Sequence, residues 1–318
     1  MQVATFASAD SSISADVVLR TVGLTKHFGP RLAVDHVDLE VRGGRVYGFL
    51  GPNGSGKTTT IGMIFGLVAP SAGHVELFGQ DTREHLSATL PRVGAVLEGT
   101  SYLPHLSARD NLRVFGLLSG GVASSRIDAV LEMVALTSRA NDKLRNYSLG
   151  MKQRLSVASA LLHDPELLIL DEPTNGLDPA GMREFRDMIR DLPRAGKTVF
   201  VSSHLLGEVE QMCDDVGILK AGRVLTQGPV TQLVASAGRA IELRVTDTDA
   251  ALVVIQTLHW AGAVTRDGDR LSVDAPIERA ADLSRALAEH GIYLRELRGR
   301  ENSLEDVFLE ITGEASDA

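Results

Sequence analysis

Gly51-Pro52-Asn53-Gly54-Ser55-Gly56-Lys57-Thr58 follows a short apolar run at residues 45–50 and leads into a helical segment at 58–67. The spacing fits G-x-x-x-x-G-K-[ST], and each residue type has a physical reason to be there. Glycines let the backbone turn so that successive N–H groups converge on phosphate oxygens. Lys57 brings a cation to the outer phosphates, and Thr58 offers a hydroxyl to Mg²⁺. Thr59, the next residue of the helix, belongs to the same candidate set. The positive end of the helix points at the same phosphates. A glycine-rich turn with a chance lysine would not need a strand before it and a helix after it. That context selects nucleotide-phosphate binding.

The surrounding pattern alternates strands with helices. Residues 17–22 are β-rich, 32–41 alternate apolar and polar residues, and 167–170 and 198–202 are apolar runs suited to buried parallel strands. Helical segments are expected at 111–118, 125–136, 151–163 and 180–192. This order predicts a mostly parallel α/β sheet. A composition change near Ser236-Ala237-Gly238 suggests a second domain. There the order reads strand (240–245), helix (249–261), hairpin (263–266 and 270–274), helix (277–290), strand (292–297) and helix (303–312). The β-α-β-β-α-β succession predicts a small α+β, ferredoxin-like domain. The expected division is a flexible tail at 1–16, a nucleotide-binding domain at 17–236 and an accessory domain at 237–318.

The strand at 167–170 ends in Asp171-Glu172, and His204 follows the strand at 198–202. Ligands of open α/β sheets sit at the carboxyl ends of the strands. Gly51, Asp171 and His204 are therefore expected on one sheet edge. Asp171 is placed to hold Mg²⁺, directly or through water. Glu172, one residue further out, is placed to orient an attacking water. Alone, the acid pair would read as an exposed turn and His204 as a packing residue. Tyr147-Ser148-Leu149-Gly150 precedes another helix. Ser148 is a natural cap, and Gly150 permits close backbone approach. In isolation this is an ordinary capped helix.

Composition narrows the function. Lys and Arg total 32 against 41 Asp and Glu, a net charge of -9, which argues against a general nucleic-acid binder. One cysteine, Cys213, excludes an internal disulfide or a cysteine-built zinc site. No run approaches the ~18 apolar residues of a membrane span. The N-terminus lacks the pattern of a signal peptide.

Taken in order, these motifs resemble those of the ATP-binding subunits of ABC transporters over residues 17–232. Residues 51–58 resemble Walker A, and Tyr147-Ser148-Leu149-Gly150-Met151-Lys152-Gln153-Arg154 the signature. Residues 167–172 resemble Walker B, Asn175-Gly176-Leu177-Asp178 the D-loop, and Ser202-Ser203-His204 the H-loop. The resemblance implies a P-loop NTPase fold, ATP and Mg²⁺ as ligands, and two nucleotide-binding domains paired head to tail. Each ATP would lie between one Walker A and the signature of a second copy or a homologue. Ser148 and Gly150 would then contact the γ-phosphate held by the partner, and Asp178 would couple the two sites. Phe28 falls where the family places an aromatic that stacks on adenine; its other reading is a core phenylalanine. Membrane-spanning permease subunits are implied, with the chain peripheral on the cytoplasmic face of the membrane.

Two departures bear on subgroup. The signature reads Ser-Leu-Gly-Met-Lys-Gln, a form similar to ATPases of bacitracin and daunorubicin export. Glu98 stands where most members carry the Q-loop glutamine, able to reach Mg²⁺ or a water; the alternative is a solvated surface acid. Ser107-x-x-Asp110 resembles a capping box. Tyr102, Leu103 and Leu106 are either docking residues for the membrane subunit or internal staples. The segment 303–313 is similar to the tail of the same export ATPases. The resemblance therefore implies an export ATPase for a drug, peptide antibiotic or lipid-like compound. The alternatives are an importer ATPase, a soluble ABC ATPase not engaged in transport, and a P-loop GTPase or kinase, the last lacking any [NT]-K-x-D guanine motif.

Overall fold

The computed structural model describes residues 16–97, 102–236, 240–300 and 303–312. The chain forms two compact units, dividing between Gly228 and Pro229.

The first unit opens with a long hairpin, β1 (Val17–Phe28) and β2 (Arg31–Arg42), joined at Gly29-Pro30. In β2, Val37, Leu39 and Val41 are fully buried while the residues between them are exposed. This is the alternation of a sheet with one face on the core. Next come β3 (Val46–Leu50), α1 (Lys57–Ile64), β4 (Ala72–Leu77), β5 (Gln80–Asp81), α2 (Thr82–Thr89) and β6 (Val93–Val96). A helical section follows: α3 (Ala108–Leu118), α4 (Ser124–Met133) and α5 (Leu149–Ala160). The unit closes with β7 (Leu167–Asp171), α6 (Pro179–Asp191), β8 (Thr198–Ser203), α7 (Leu206–Met212), β9 (Asp215–Lys220) and β10 (Arg223–Pro229).

Two sheets result. One has the order β10-β9-β3-β8-β7-β6, with parallel pairing of β9, β3, β8, β7 and β6. Every residue of β3, β7 and β8 is buried, as both faces of a parallel sheet must be covered. The other has the order β2-β1-β4-β5 and is antiparallel. The strands expected at 17–22 and 32–41 thus belong to this second sheet and not to the parallel one. Phe49, Phe200 and Tyr47 lie in the core, Tyr47 stacked on Phe200 at 5.6 Å. Helix α1 ends at Ile64, short of the expected Leu67, because Gly66 takes a φ of 68° and breaks the helical path.

The second unit contains α8 (Val230–Ser236), β11 (Ala240–Val245), α9 (Thr248–Gln256), β12 (Val264–Asp267), β13 (Arg270–Asp274), α10 (Ala280–Glu289), β14 (Leu294–Arg300) and α11 (Leu304–Thr312). Its antiparallel sheet runs β12-β13-β11-β14. Ile241, Leu243, Leu271 and Val273 form its core with Leu283 and Leu287 of α10. Helix α8 precedes the composition change read from sequence, yet it packs on α11 within this second unit.

Candidate functional site

Parallel pairing brings the three strand ends together. Leu50 stands opposite Ser203, and Asp171 opposite Ser202. The loop after β3 therefore begins beside the ends of β8 and β7, and the N–H of Gly51 donates to the carbonyl of Ser203 at 3.3 Å. The loop then folds back on β2. Gly56 caps α1 with a φ of 110°, and a Cβ there would stand 2.7 Å from the carbonyl oxygen of Ala33. Only glycine fits this conformation and this approach.

Lys57 is 5% exposed; its ammonium donates to the carbonyl of Gly51 at 2.6 Å and lies 3.1 Å from Oε1 of Glu172. That last contact is an ion pair without hydrogen-bond alignment, for Glu172 Oε1 is a buried acceptor with no donor. The other carboxylate oxygen, Oε2, is 2.8 Å from Nδ1 of His204. Glu172 carries a φ of 47°, uncommon for a side-chain-bearing residue. Such backbone strain costs about 1–3 kcal/mol and persists where neighbours hold it. One of those neighbours is Ser202. Its hydroxyl accepts from the Glu172 N–H at 2.9 Å and donates to the Asp171 carboxylate. Asp171 is 6% exposed.

Asn53, Gly54, Gly56, Lys57, Thr58, Thr59, Glu172 and His204 line one cavity of about 360 Å³, together with Arg31, Ala33 and Asn175. That volume suits a small ligand. The sequence reading had not singled out Arg31, Ala33 or Asn175 as cavity-lining. Their signal depends on strands meeting in space. Phe28 does not line this cavity; its ring is half exposed on the hairpin, with the Lys26 ammonium 5.0 Å from its centroid. The core alternative for Phe28 is excluded by that exposure.

Ser148 caps α5, accepting from the Met151 N–H at 3.2 Å, and Asp178 caps α6, accepting from Gly181 at 3.1 Å. Neither Ser148 nor Gly150 lines the cavity of the phosphate loop. Glu98 lies outside the described residues, as do residues 1–15 of the tail. Tyr102 acts as an internal staple: its hydroxyl donates to Ser156 on α5 at 2.9 Å, and its ring meets Phe115 edge-on. Ser107 caps α3 as the spacing suggested, accepting from Asp110 at 3.1 Å.

Ser55 Oγ is a second buried polar atom without a partner, set within the glycine loop. Among the described residues no group of three acidic, histidine or cysteine side chains could hold a metal. Thr58 offers one hydroxyl and Asp171 one carboxylate, a donor set that suits Mg²⁺ together with ligand phosphates.

A parallel sheet with a phosphate loop, an acid pair and a histidine on one edge defines a P-loop nucleotide hydrolase. The family model described as ABC transporter matches residues 34–175. The bacitracin transport ATP-binding protein BcrA of Bacillus licheniformis is 39% identical over 93% of this chain and 97% of its own length. The daunorubicin resistance ATP-binding protein DrrA3 of Streptomyces coeruleorubidus is 36% identical, over 94% and 97%. Among solved structures, cbiO1 of Clostridium perfringens, described as part of the ABC transporter complex cbiONQ, superposes with a TM-score of 0.64. It is 26% identical and covers 70% of this chain and 92% of its own. The chain belongs to the family of ABC transporter ATP-binding proteins, and it is an ATPase of the type found in bacitracin and daunorubicin transport and resistance.

Proposed function

We propose that the chain hydrolyses ATP to power export of a drug, peptide antibiotic or lipid-like compound through separate membrane subunits. The observation that carries this reading is the meeting of Lys57, Glu172 and His204 in one cavity on the phosphate loop. The loop N–H groups and Lys57 hold the β- and γ-phosphates. Thr58 and Asp171 would hold Mg²⁺, which would supply charge neutralisation at the phosphate oxygens. Glu98, at the Q-loop position of the family resemblance, is a further candidate ligand. Glu172 orients the attacking water and accepts its proton while the water oxygen bonds the γ-phosphorus and the β–γ bridging bond breaks. His204 holds the carboxylate in place through Nδ1.

Ser148 and Gly150 serve a second nucleotide, that of a paired copy or homologue. A Cβ at Gly150 would meet nothing within this chain closer than 3.8 Å, so internal packing does not call for glycine there. Leu149 beside it is exposed at the start of α5. These features suit close approach from outside the chain. Asp178, at the start of α6, couples the two sites in this pairing, and Phe28 stacks on the adenine.

No described helix is long and apolar enough to cross a membrane. The export direction rests on likeness to the bacitracin and daunorubicin relatives, and a peripheral position on the cytoplasmic face of the membrane goes with that reading. The test uses tagged Glu172→Gln chain, purified with ATP from detergent-solubilised membranes and analysed by mass spectrometry. The expected result is ATP-bound dimer with a polytopic membrane protein in stoichiometric amount. Recovery of only soluble or ribosomal partners would overturn the transport reading, and unchanged turnover in Glu172→Gln would overturn the catalytic one.

A further inference from the structure

The cavity on the phosphate loop holds a cation that the chemistry above does not use. Lys57 is committed to Glu172 and to the Gly51 carbonyl, and His204 to the other oxygen of Glu172. Arg31 lines the same cavity, is exposed, and has no hydrogen-bond or ion-pair partner among the described residues.

Its position follows from the hairpin. Arg31 is the first residue of β2 and stands opposite Phe28 across the turn. Strand alternation puts it on the same face as Ala33, whose carbonyl abuts Gly56. At a rise of about 3.3 Å per residue, Arg31 lies about 7 Å further from Gly56 along the strand. It lines the same cavity as Thr58 and Thr59. In the reading above Lys57 and the loop N–H groups serve the β- and γ-phosphates, which leaves the exposed guanidinium of Arg31 for the phosphate next to the sugar.

We propose that Arg31 binds the α-phosphate of the nucleotide. This deepens the ATP reading and rests on it. A guanidinium offers a planar fork of donors that matches phosphate oxygens, and it stays charged at any working pH. With no carboxylate among the described residues paired to it, that fork is open to an anionic ligand.

The test is isothermal titration calorimetry on the full chain, wild type against Arg31→Ala and Arg31→Lys. The ligands are the β–γ imido analogue of ATP, ADP, and inorganic tripolyphosphate, each with Mg²⁺. Arg31→Ala is expected to weaken all three by a similar factor, about tenfold, the equivalent of about 1.4 kcal/mol. Arg31→Lys should recover part of the loss, since it restores charge without the fork. The salt dependence of binding should fall in Arg31→Ala and return in Arg31→Lys, which a merely structural defect of the hairpin would not produce. Unchanged affinities would overturn the proposal. A loss confined to the triphosphate analogue would place Arg31 on the γ-phosphate, and a loss that spares tripolyphosphate would place it on the sugar or base. Either result also overturns it. A wild-type chain that binds none of the three would overturn the ATP reading itself.

Discussion

Replacing Ser202 by alanine probes how the acid pair is held. Ser202 is fully buried, and its hydroxyl bridges two residues, accepting from the Glu172 N–H at 2.9 Å and donating to Asp171. Alanine keeps nearly the same shape but removes both bonds. A buried N–H left without an acceptor costs about 1–3 kcal/mol, and a hydrogen bond to a charged group contributes about 1.5–3 kcal/mol. The two effects share one atom, so we expect a loss of about 2–3 kcal/mol rather than their sum. For a unit of this size, each kcal/mol lowers the melting temperature by about 2–4 °C, giving a fall of about 4–12 °C. Turnover should fall more than stability suggests, by about 10–100-fold, the usual effect of removing a partner that orients a ligating carboxylate. Ser203→Ala is the control, since among the described residues that hydroxyl accepts only from the Leu205 N–H at 3.0 Å. Thermal unfolding and phosphate-release assays on both variants would check this. A Ser202→Ala protein with the melting temperature and turnover of Ser203→Ala would refute the bridge.

Two further outcomes follow from local geometry. Gly222 supports the phosphate loop from behind, its N–H donating to the Ser55 carbonyl at 2.9 Å and its carbonyl accepting from the Asp35 N–H at 2.8 Å. Gly222→Ala, with a φ of 82° and a Cβ 2.9 Å from the Ala33 carbonyl, should cost about 2–3 kcal/mol and weaken ATP binding; Gly79→Ala, with a similar φ but open space, should cost less and leave binding intact. At the start of α2, the side-chain hydrogen bond from Arg83 holds the Asp81 carboxyl down to about 2. Because its folded value is lowered, Asp81 contributes stability that is present above about pH 4 and lost as pH falls towards 2. In Arg83→Ala, a carboxyl ¹³C titration should find Asp81 moved back towards the ordinary carboxylate value.

The sheet edge that carries the candidate site was legible because each of its residues follows an apolar run, and parallel pairing places all such ends on one side of the sheet. Gly51, Asp171 and His204 needed nothing further. Ser202 also stood in the motif, but its bridging role did not, since it depends on the register of β7 against β8. Nothing in the sequence pointed to Arg31, because only the close contact of Ala33 with Gly56 brings β2 against the loop. The antiparallel sheet was hidden for a different reason. Its strand β4 begins with Ala72-Gly73-His74, too weak a pattern to read as a strand. Strand β9 went unread because it contains Gly217, which looks like a breaker but makes room for Tyr47; a Cβ there would stand 2.3 Å from the Tyr47 hydroxyl.

The ion pair between Lys57 and Glu172 has a consequence for nucleotide binding. Lys57 is almost wholly buried and its nearest anion is the Glu172 carboxylate at 3.1 Å. A γ-phosphate held by the loop must share that ammonium, and it must also sit near the carboxylate that already occupies it. Glu172 therefore opposes triphosphate binding twice, by competing for Lys57 and by repelling the phosphate charge. Glu172→Gln removes both effects while keeping the shape and a polar contact to His204. The expected outcome is tighter binding of the non-hydrolysable triphosphate analogue, by about tenfold or about 1.4 kcal/mol. ADP, which lacks the γ-phosphate, should gain much less. Raising the salt concentration should change the difference little, because a buried pair is poorly screened. Calorimetric titration of both nucleotides into wild type and variant decides the matter. Equal affinities for the triphosphate in the two proteins would mean that Lys57 is not contested. The carboxylate would then be bound to it only as a bystander.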